Sequence, residues 1–572
     1  MTPYRAPVLE IRFALEVADS QLGDGRRRFA WNEVDSVVDG CAKFAEQVYA
    51  PLNSLGDREG CRFENGRVSA PAGFKEAYQA YARGGWSAVS APQEFGGQGL
   101  PFKIAIAVAE MLNSANLSLA MGSMPTPGAI ELLKRFGSEK QKQFYLPRIV
   151  SGEWTVTMAM TEPQAGSDLG AISTRAHVSD GGLVLKGKKS LITWGEHNFT
   201  NDILHLVLAR SPDGPAGVKG LSLYLASKRS TDGEINDIAC LGLEKKMGLR
   251  GSPTVSLSFG DSTGTKAELL GQENRGLEQM FVLLNQARIR VATFALGSAE
   301  RSLQAAQNYA NSRVQGRDAH GKPTVIANHP DVQRMLTSME ARTQAIRLLI
   351  HYVAALVDLA ADENRNSDAT RTELEILTPI AKAWCTELAF EVTSTGVQIF
   401  GGIGYSEECE VSQYFREARV HMIYEGTTGI QANDLIFRKI RRDDGVGFGK
   451  LLTHILGKLH DLECGDDLSS VREMLIRALN TLSEITRSIV ARNDDQTATL
   501  QANGSSVLMF AGAIVACWLS IAAASAAGNT DARRKTRNAR HMVEQCLAPA
   551  EALARTVLSA PEMNTADLER CA

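Results

Sequence analysis

The 572-residue sequence has no Cys-x-x-Cys pair, no net positive charge, no internal repeat and no low-complexity tract, and each absence closes off a class of function. Its nine cysteines are scattered and odd in number, which argues against a disulfide framework or a thiolate metal cluster and for a reducing compartment. No metal site is expected. Lys+Arg 61 against Asp+Glu 65 leaves a formal charge of -4, so no overall field draws in nucleic acid or an anionic membrane, and a polyanion has to be met locally. The first residues bring Pro3 and Glu10 early, with no apolar run and no Arg/Ser-rich amphipathic pattern. Neither a signal nor a transit peptide is expected, and the expected location is cytoplasmic.

Charge is missing altogether from Val507 to Ala527, about the length that spans a bilayer. Ala, Gly and Ser make up about half of this stretch, no basic residue flanks it closely, and a charged helical sequence, Asp531 to Leu558, follows. It is read as a helix buried in a bundle, with no stable membrane insertion.

What is present is 44% hydrophobic and 22% charged residues, enough for more than one core and roughly three or four domains. After an N-terminal extension (1–33), apolar residues recur at helical spacing in Val34–Tyr49, Phe74–Ala82, Ile104–Ser114 and Ile130–Phe136, giving a helical domain over 34–154. The period then changes to two. Thr174–Ser179 and Leu183–Gly187 flank an Asp180-Gly-Gly turn as a hairpin, and Ile203–Leu208, Leu221–Ala226 and Thr254–Phe259 continue a β domain over 155–276. Long helical runs return in Leu277–Ser312, Pro330–Ala361 and Leu374–Phe400, a four-helix bundle over 277–440 when the segment after Tyr405 is added. The charged, glycine-rich stretch 441–449 reads as a linker to an extra helical domain, 450–572. The class is mainly α with a central β domain.

That order suggests a ligand held where domains meet. At the entry to the β domain, Ala159-Met-Thr-Glu-Pro-Gln-Ala-Gly-Ser-Asp-Leu-Gly-Ala171 combines glycines, small residues and hydroxyls. Such a segment lets backbone N–H groups and Oγ atoms approach a planar heterocycle and a phosphate closely.

This segment resembles the first fingerprint of the acyl-CoA dehydrogenase family, and the resemblance extends from roughly residue 40 to residue 440. Leu191-Ile-Thr-Trp-Gly195, Gln398-Ile-Phe-Gly-Gly-Ile-Gly-Tyr405 and Tyr424-Glu-Gly-Thr-Thr428 match three further motifs in the family's order. The resemblance implies a fold of helical domain, β-barrel-like domain and four-helix bundle, and FAD as cofactor. Met158, Met160, Thr161, Gly166, Ser167, Ile192 and Thr193 would contact FAD, with Ser167 also near the CoA entrance and Thr193 close to flavin N5. Gln398, Gly401 and Gly402 would receive the adenosine diphosphate of a FAD in a neighbouring subunit, Arg313 would meet that shared cofactor across a dimer interface, and Thr427 would contact the FAD of its own subunit. Arg288 resembles a substrate-side arginine, with a simple salt bridge as its alternative reading.

The chemistry asks for a carboxylate at residue 425. The α-hydrogen of a thioester is weakly acidic, so its removal needs a positioned base, a polarised carbonyl and an acceptor for the β-hydride. By resemblance Glu425 is that base, the product is a trans-2-enoyl-CoA, and the backbone N–H of the same loop polarises the thioester oxygen, with Gly426 permitting the close approach. Enclosure with a flavin and an acyl chain should raise the pKa of Glu425 toward neutrality. Some family members place the base immediately before the arginine corresponding to Arg288; that position here is Ala287.

The sequence departs from the family pattern at Leu191, where many members stack a tryptophan on the flavin, with Trp194 three residues on. It also departs at Val314-Gln-Gly316, at Pro330 and at Gln413. The two ends of the chain resemble a large bacterial subgroup with broad acyl ranges, which makes 3-methylmercaptopropionyl-CoA or a fatty acyl-CoA the expected substrate. Expected partners are an electron-transfer flavoprotein as electron acceptor and a second copy of the chain, as a homodimer or a dimer of dimers. An acyl-CoA oxidase would share every motif. The basic run Arg533–His541 raises one other reading, a DNA-associated flavoprotein, because Arg533, Arg537 and Arg540 fall on one helix face; a solvated face is the simpler reading, and no nucleic acid is expected.

Overall fold

The computed structural model describes residues 3–23, 31–180, 182–230, 233–362, 367–463, 465–493, 496–528 and 531–559. The chain forms two compact units, one of residues 40–290 and one in which the N-terminal 39 residues join 291–572. Cys464, Cys571 and Gly181 lie outside the described residues.

In the 40–290 unit, a small two-stranded sheet, Arg62–Glu64 with Arg67–Ser69, and then helices Phe74–Arg83, Phe102–Ala115, Thr126–Phe136 and Glu139–Val150 precede the strands of the large sheet. The last was not singled out in the sequence. Its start is fixed locally by a capping box in which Ser138 and Gln141 satisfy each other's backbone N–H groups. The strands form a nine-stranded sheet among the described residues. The expected hairpin is Arg175–Ser179 with Gly182–Thr193, registered with Ala176 opposite Leu185. Asp202–Arg210 pairs antiparallel with Leu221–Ser227 and parallel with Trp154–Ala159, so the motif after Ala159 leaves from the middle of the sheet. Both faces of the central strand are covered, which is why Ile203 to Ala209 is continuously buried instead of alternating.

In the other unit, helices Gly276–Ser312 (from Val291 on), Pro330–Ala361 and Asp368–Phe400 are long, as the period indicates. The fourth bundle member is broken: Glu410–Ala418 and Thr428–Asn433 flank a loop holding Glu425 at φ 55 and Gly426 at φ 90. A left-handed pair cannot continue a helix. The stretch expected as a linker is tighter than that. Asp444 and Gly445 are left-handed, and Val446 already begins the next helix, whose Gly447 N–H donates to Asp443 Oδ2 at 2.8 Å.

Thr497–Ala526, which contains the uncharged stretch, is the core of the C-terminal helices and is almost wholly buried. Its side chains pack on protein: Trp518 meets Tyr352 edge-on at 5.2 Å, and Gly512 lies so close to Trp384 that a Cβ would stand 2.5 Å from the indole. It is a bundle helix, as read. The N-terminal extension contributes the helix Val8–Gln21, which packs on Pro330–Ala361.

Candidate functional site

In the 40–290 unit, Thr155, Thr157 and Ala159 share one buried face of their strand. Thr155 Oγ1 meets His197 Nε2 at 2.8 Å, and Thr157 Oγ1 meets His205 Nδ1 at 2.7 Å. Burial, and then the charge of Lys228, pushes both imidazoles down, His205 to about 3, so both are neutral. Met158, on the other face, is half-buried.

The chain leaves this strand at Met160 and Thr161, and a buried lysine fixes the departure. Lys189 Nζ donates to the Met160 carbonyl (2.9 Å), to Glu162 Oε1 (2.8 Å) and to the Leu208 carbonyl (2.8 Å). Glu162 also accepts the N–H groups of Ser173 (2.8 Å) and Thr174 (3.0 Å) and the Ser173 hydroxyl (2.6 Å). Burial pushes the Glu162 carboxyl up, but the Lys189 charge and these bonds outweigh it and hold it well below the usual carboxylate range. Ser190 N–H donates to the Thr161 carbonyl at 2.9 Å, which brings the two flavin-type motifs side by side. Neither Lys189 nor Glu162 was singled out in the sequence. The available signal was parity: Lys189 shares the inward parity of Leu185, whereas Lys186 and Lys188 face out.

Thr161 and Thr193 are half-buried; Gly166 and Ser167 are exposed. Ile192 is 2% exposed and its side chain belongs to the sheet core, leaving its backbone as the part available to a ligand. Around it the strand register shifts, and Leu191 and Trp194 both take positive φ (58° and 56°). The consequence is opposite for the two side chains. Leu191 is 60% exposed, while Trp194 is turned inward, stacks on Phe199 at 4.4 Å and donates its indole N–H to Ser252 Oγ at 2.9 Å. Trp194 is a core residue, and the exposed flank is that of Leu191. Ala287 and Arg288 are buried, the Arg288 guanidinium lying 5.9 Å over Phe281.

In the other unit, the Glu425 loop is clamped through its backbone. Lys382, buried on Asp368–Phe400, donates to the Gly426 carbonyl at 2.6 Å, and Gln431 Nε2 donates to the carbonyls of Glu425 (3.0 Å) and Gly426 (3.3 Å). Thr427 caps the following helix, accepting Ile430 N–H at 3.3 Å, and Thr428 donates to Glu387 Oε1 at 2.6 Å. A Cβ on Gly426 would stand 2.7 Å from Gln431 Nε2, so φ favours glycine and a side chain there would displace the Gln431 amide. Before the loop, His421 Nδ1 meets the Tyr424 hydroxyl at 2.8 Å; burial, then Lys382, pushes this imidazole down to about 3. Oε2 of Glu425 is buried.

Arg313, Gln398, Gly401 and Gly402 gather elsewhere in this unit. Tyr309 stacks on Phe400 at 4.2 Å, which sets Arg313 and the glycine turn at one end of the bundle, and all four residues are exposed together with Ile403 and Tyr405. From Lys382, under the Glu425 loop, to Gly401 is roughly 28 Å along the helix axis at the usual helical rise. Gln413 is buried and bonds Glu417 at 2.9 Å, and Pro330 opens its helix at the first position.

The basic run divides between two faces: Arg533, Arg537 and Arg540 are exposed, while the cations between them turn inward. Arg534 pairs with Asp531, Glu340 (3.0 Å) and Glu10, Lys535 is buried against Glu10 (2.6 Å), and Arg537 reaches Glu340 (2.6 Å). These cations fasten the helix Ala532–His541 to the first helix and to Pro330–Ala361.

Three family descriptions match the chain in order: the N-terminal domain of acyl-CoA dehydrogenase over residues 32–153, the middle domain over 157–262 and the C-terminal domain over 274–439. The chain is 42% identical to the 3-methylmercaptopropionyl-CoA dehydrogenase of Ruegeria pomeroyi, over 77% of each chain. It is 33% identical to the broad-specificity linear acyl-CoA dehydrogenase FadE5 of Mycobacterium tuberculosis, over 91% of this chain and 90% of that one. Its fold resembles that of an acyl-CoA dehydrogenase complexed with FAD from Bacillus anthracis, with 22% identity, a TM-score of 0.77 and coverage of 95% and 91%.

Proposed function

The chain belongs to the acyl-CoA dehydrogenase family of FAD-dependent oxidoreductases, and from that premise we propose that Glu425 is the base that removes the α-proton of a saturated acyl-CoA. The observation that carries the reading is the loop itself: a carboxylate at φ 55, beside a glycine at φ 90, with its carbonyls held by Lys382 and Gln431. A non-glycine residue in this region costs on the order of 1 kcal/mol, and such strain is kept where geometry serves a site.

The residues present fit a flavin. Thr161, Ser167 and Thr193 bring hydroxyls to the sheet surface, a Cβ on Gly166, Gly401 or Gly402 would meet nothing within 4 Å, and Leu191 leaves a large apolar side chain in solvent. When bound, FAD supplies the acceptor for the β-hydrogen. Met158, Met160, Thr161, Gly166, Ser167, the Ile192 backbone, Thr193 and Thr427 bind the cofactor of their own subunit in this reading. Gln398, Gly401, Gly402 and Arg313 bind that of a neighbour in a homodimer. The roughly 28 Å between the glycine turn and the Glu425 loop along one helix supports assigning them to different cofactor molecules. Gly426 N–H polarises the thioester oxygen, and Ser167 and Arg288 lie on the substrate side.

The substrate is a short thioether acyl-CoA such as 3-methylmercaptopropionyl-CoA, or a linear fatty acyl-CoA, and the electrons pass to an electron-transfer flavoprotein. The relatives support both acyl classes. Anaerobic mixing with a panel of short, long, branched, aromatic and thioether acyl-CoAs should bleach the flavin absorbance, fastest with the true substrate. Glu425→Gln should slow bleaching by at least about 10²-fold, the usual worth of a positioned base. Near-wild-type bleaching by that variant would remove Glu425 from its role.

A further inference from the structure

The helix Ala532–His541 divides its cations between two faces. One face, Arg534, Lys535 and Asn538, is consumed by Glu10, Glu340 and Gln344, as the fold requires. The other, with Arg533, Thr536, Arg537 and Arg540, lines an open cavity of about 670 Å³ whose lining also includes Arg334 and Thr337 from the helix Pro330–Ala361. The lining holds four arginines against two carboxylates, Asp467 and Glu544. Glu544 pairs with Arg540 at 2.8 Å, and Arg537 and Arg334 share carboxylates outside the cavity, Glu340 and Asp331. Arg533 has no ion pair among the described residues.

Ion pairs account for Arg537 and Arg540 but not for Arg533. Like charges at positions 533, 537 and 540 repel along a helix by a few tenths of a kcal/mol per pair, and their exposed heads secure little in return. His541, at the cavity wall, has its imidazole pushed down to about 4 by burial first and then by Arg342 and Arg334.

We propose that this cavity binds a small anion carrying two or more phosphate groups. Guanidinium forks take phosphate bidentately. Arg533, Arg537 and Arg540 are spaced by about 6 and 4.5 Å along the axis, with Arg334 in the same lining, so they present several anion positions. The volume lies within the roughly 300–1,000 Å³ of small-molecule pockets and exceeds what a single phosphate fills. A duplex fits less well, because the remaining cations of the run are already paired inward.

Calorimetric titration of the FAD-loaded enzyme with inorganic tripolyphosphate, at matched ionic strength, tests this. Tripolyphosphate is expected to bind at least about tenfold more tightly than sulfate. The double substitution Arg533→Ala/Arg540→Ala should weaken it by at least about tenfold, with flavin content and ligand-free melting temperature unchanged. Arg533→Ala alone, which breaks no ion pair, should weaken binding in the same direction. ATP binding more tightly than tripolyphosphate would identify a nucleotide as the source of the phosphates, and equal binding a free polyphosphate. The proposal is overturned if tripolyphosphate binds no better than sulfate, if the variants bind it unchanged, or if a DNA duplex of about 20 base pairs displaces it at lower concentration.

Discussion

Lys189 and Glu162 meet at 2.8 Å with both side chains essentially inaccessible, and the same ammonium holds the carbonyl of Met160. The pair therefore couples sheet stability to the position of the segment proposed to lie against the flavin. Lys189→Met would leave Glu162 charged and buried without its partner, at a cost of about 3–5 kcal/mol. Reduced flavin content in the purified variant and a lowered melting temperature are the expected readouts; unchanged values for both would show that the pair positions nothing.

Acid should act through the same carboxylate. The pKa of folded Glu162 is depressed below the unfolded value of 4.5, so the stability it contributes is present above pH 4.5 and is lost as pH falls below it. Melting temperature against pH should fall more steeply below 4.5 for the wild type than for Glu162→Gln.

Three buried histidines add an earlier acid limb. His197, His205 and His421 have folded pKa values depressed below 6.5, so between 6.5 and about 3 the unfolded chain binds protons that the folded chain does not. Stability then drops as pH falls from 6.5, approaching about 1.4 kcal/mol per unit for each histidine. Chemical denaturation at pH 7.0 and 5.5 measures the drop, and His421→Gln should shallow it.

At the loop, Gly426→Ala meets both a positive φ and Gln431 Nε2 at 2.7 Å, so the amide that holds the carbonyls of 425 and 426 is pushed off them. Misplacement by about 1 Å costs on the order of 10²-fold in rate, and a loss of that size in single-turnover flavin reduction is expected with FAD still bound. Lys382→Met, which frees the Gly426 carbonyl, should reduce the same rate more than it alters the KM for acyl-CoA.

The C-terminal helices should respond to packing at Gly512. Gly512→Ala places a methyl 2.5 Å from the Trp384 ring, and overpacking of this kind costs about 1–3 kcal/mol. A lower melting temperature is expected; a rise would mean that the two helices separate without cost.

Element order, the β hairpin and the long bundle helices were legible from spacing of two or of three and four, because neighbouring turns and alternate strand residues must share a face. The four motifs could be picked out for a related reason: each is a short contiguous segment whose glycines, hydroxyls and, at Glu425, carboxylate stand together in the chain. What only the tertiary structure decided are the pairings between distant segments. Trp194 turns inward because the strand register shifts beneath it, and Lys382 reaches Gly426 across 44 residues of sequence. Arg534 and Lys535 find Glu10 more than 500 residues away, turning half of a basic run into structural cement. Sequence periodicity reports which face a residue occupies, but the partner on the opposing surface is set by how separate elements pack. For that reason Glu425 could be proposed from the chain alone, while Lys189, Lys382 and Gln431, which hold the segments proposed to bind the flavin and carry the base, could not.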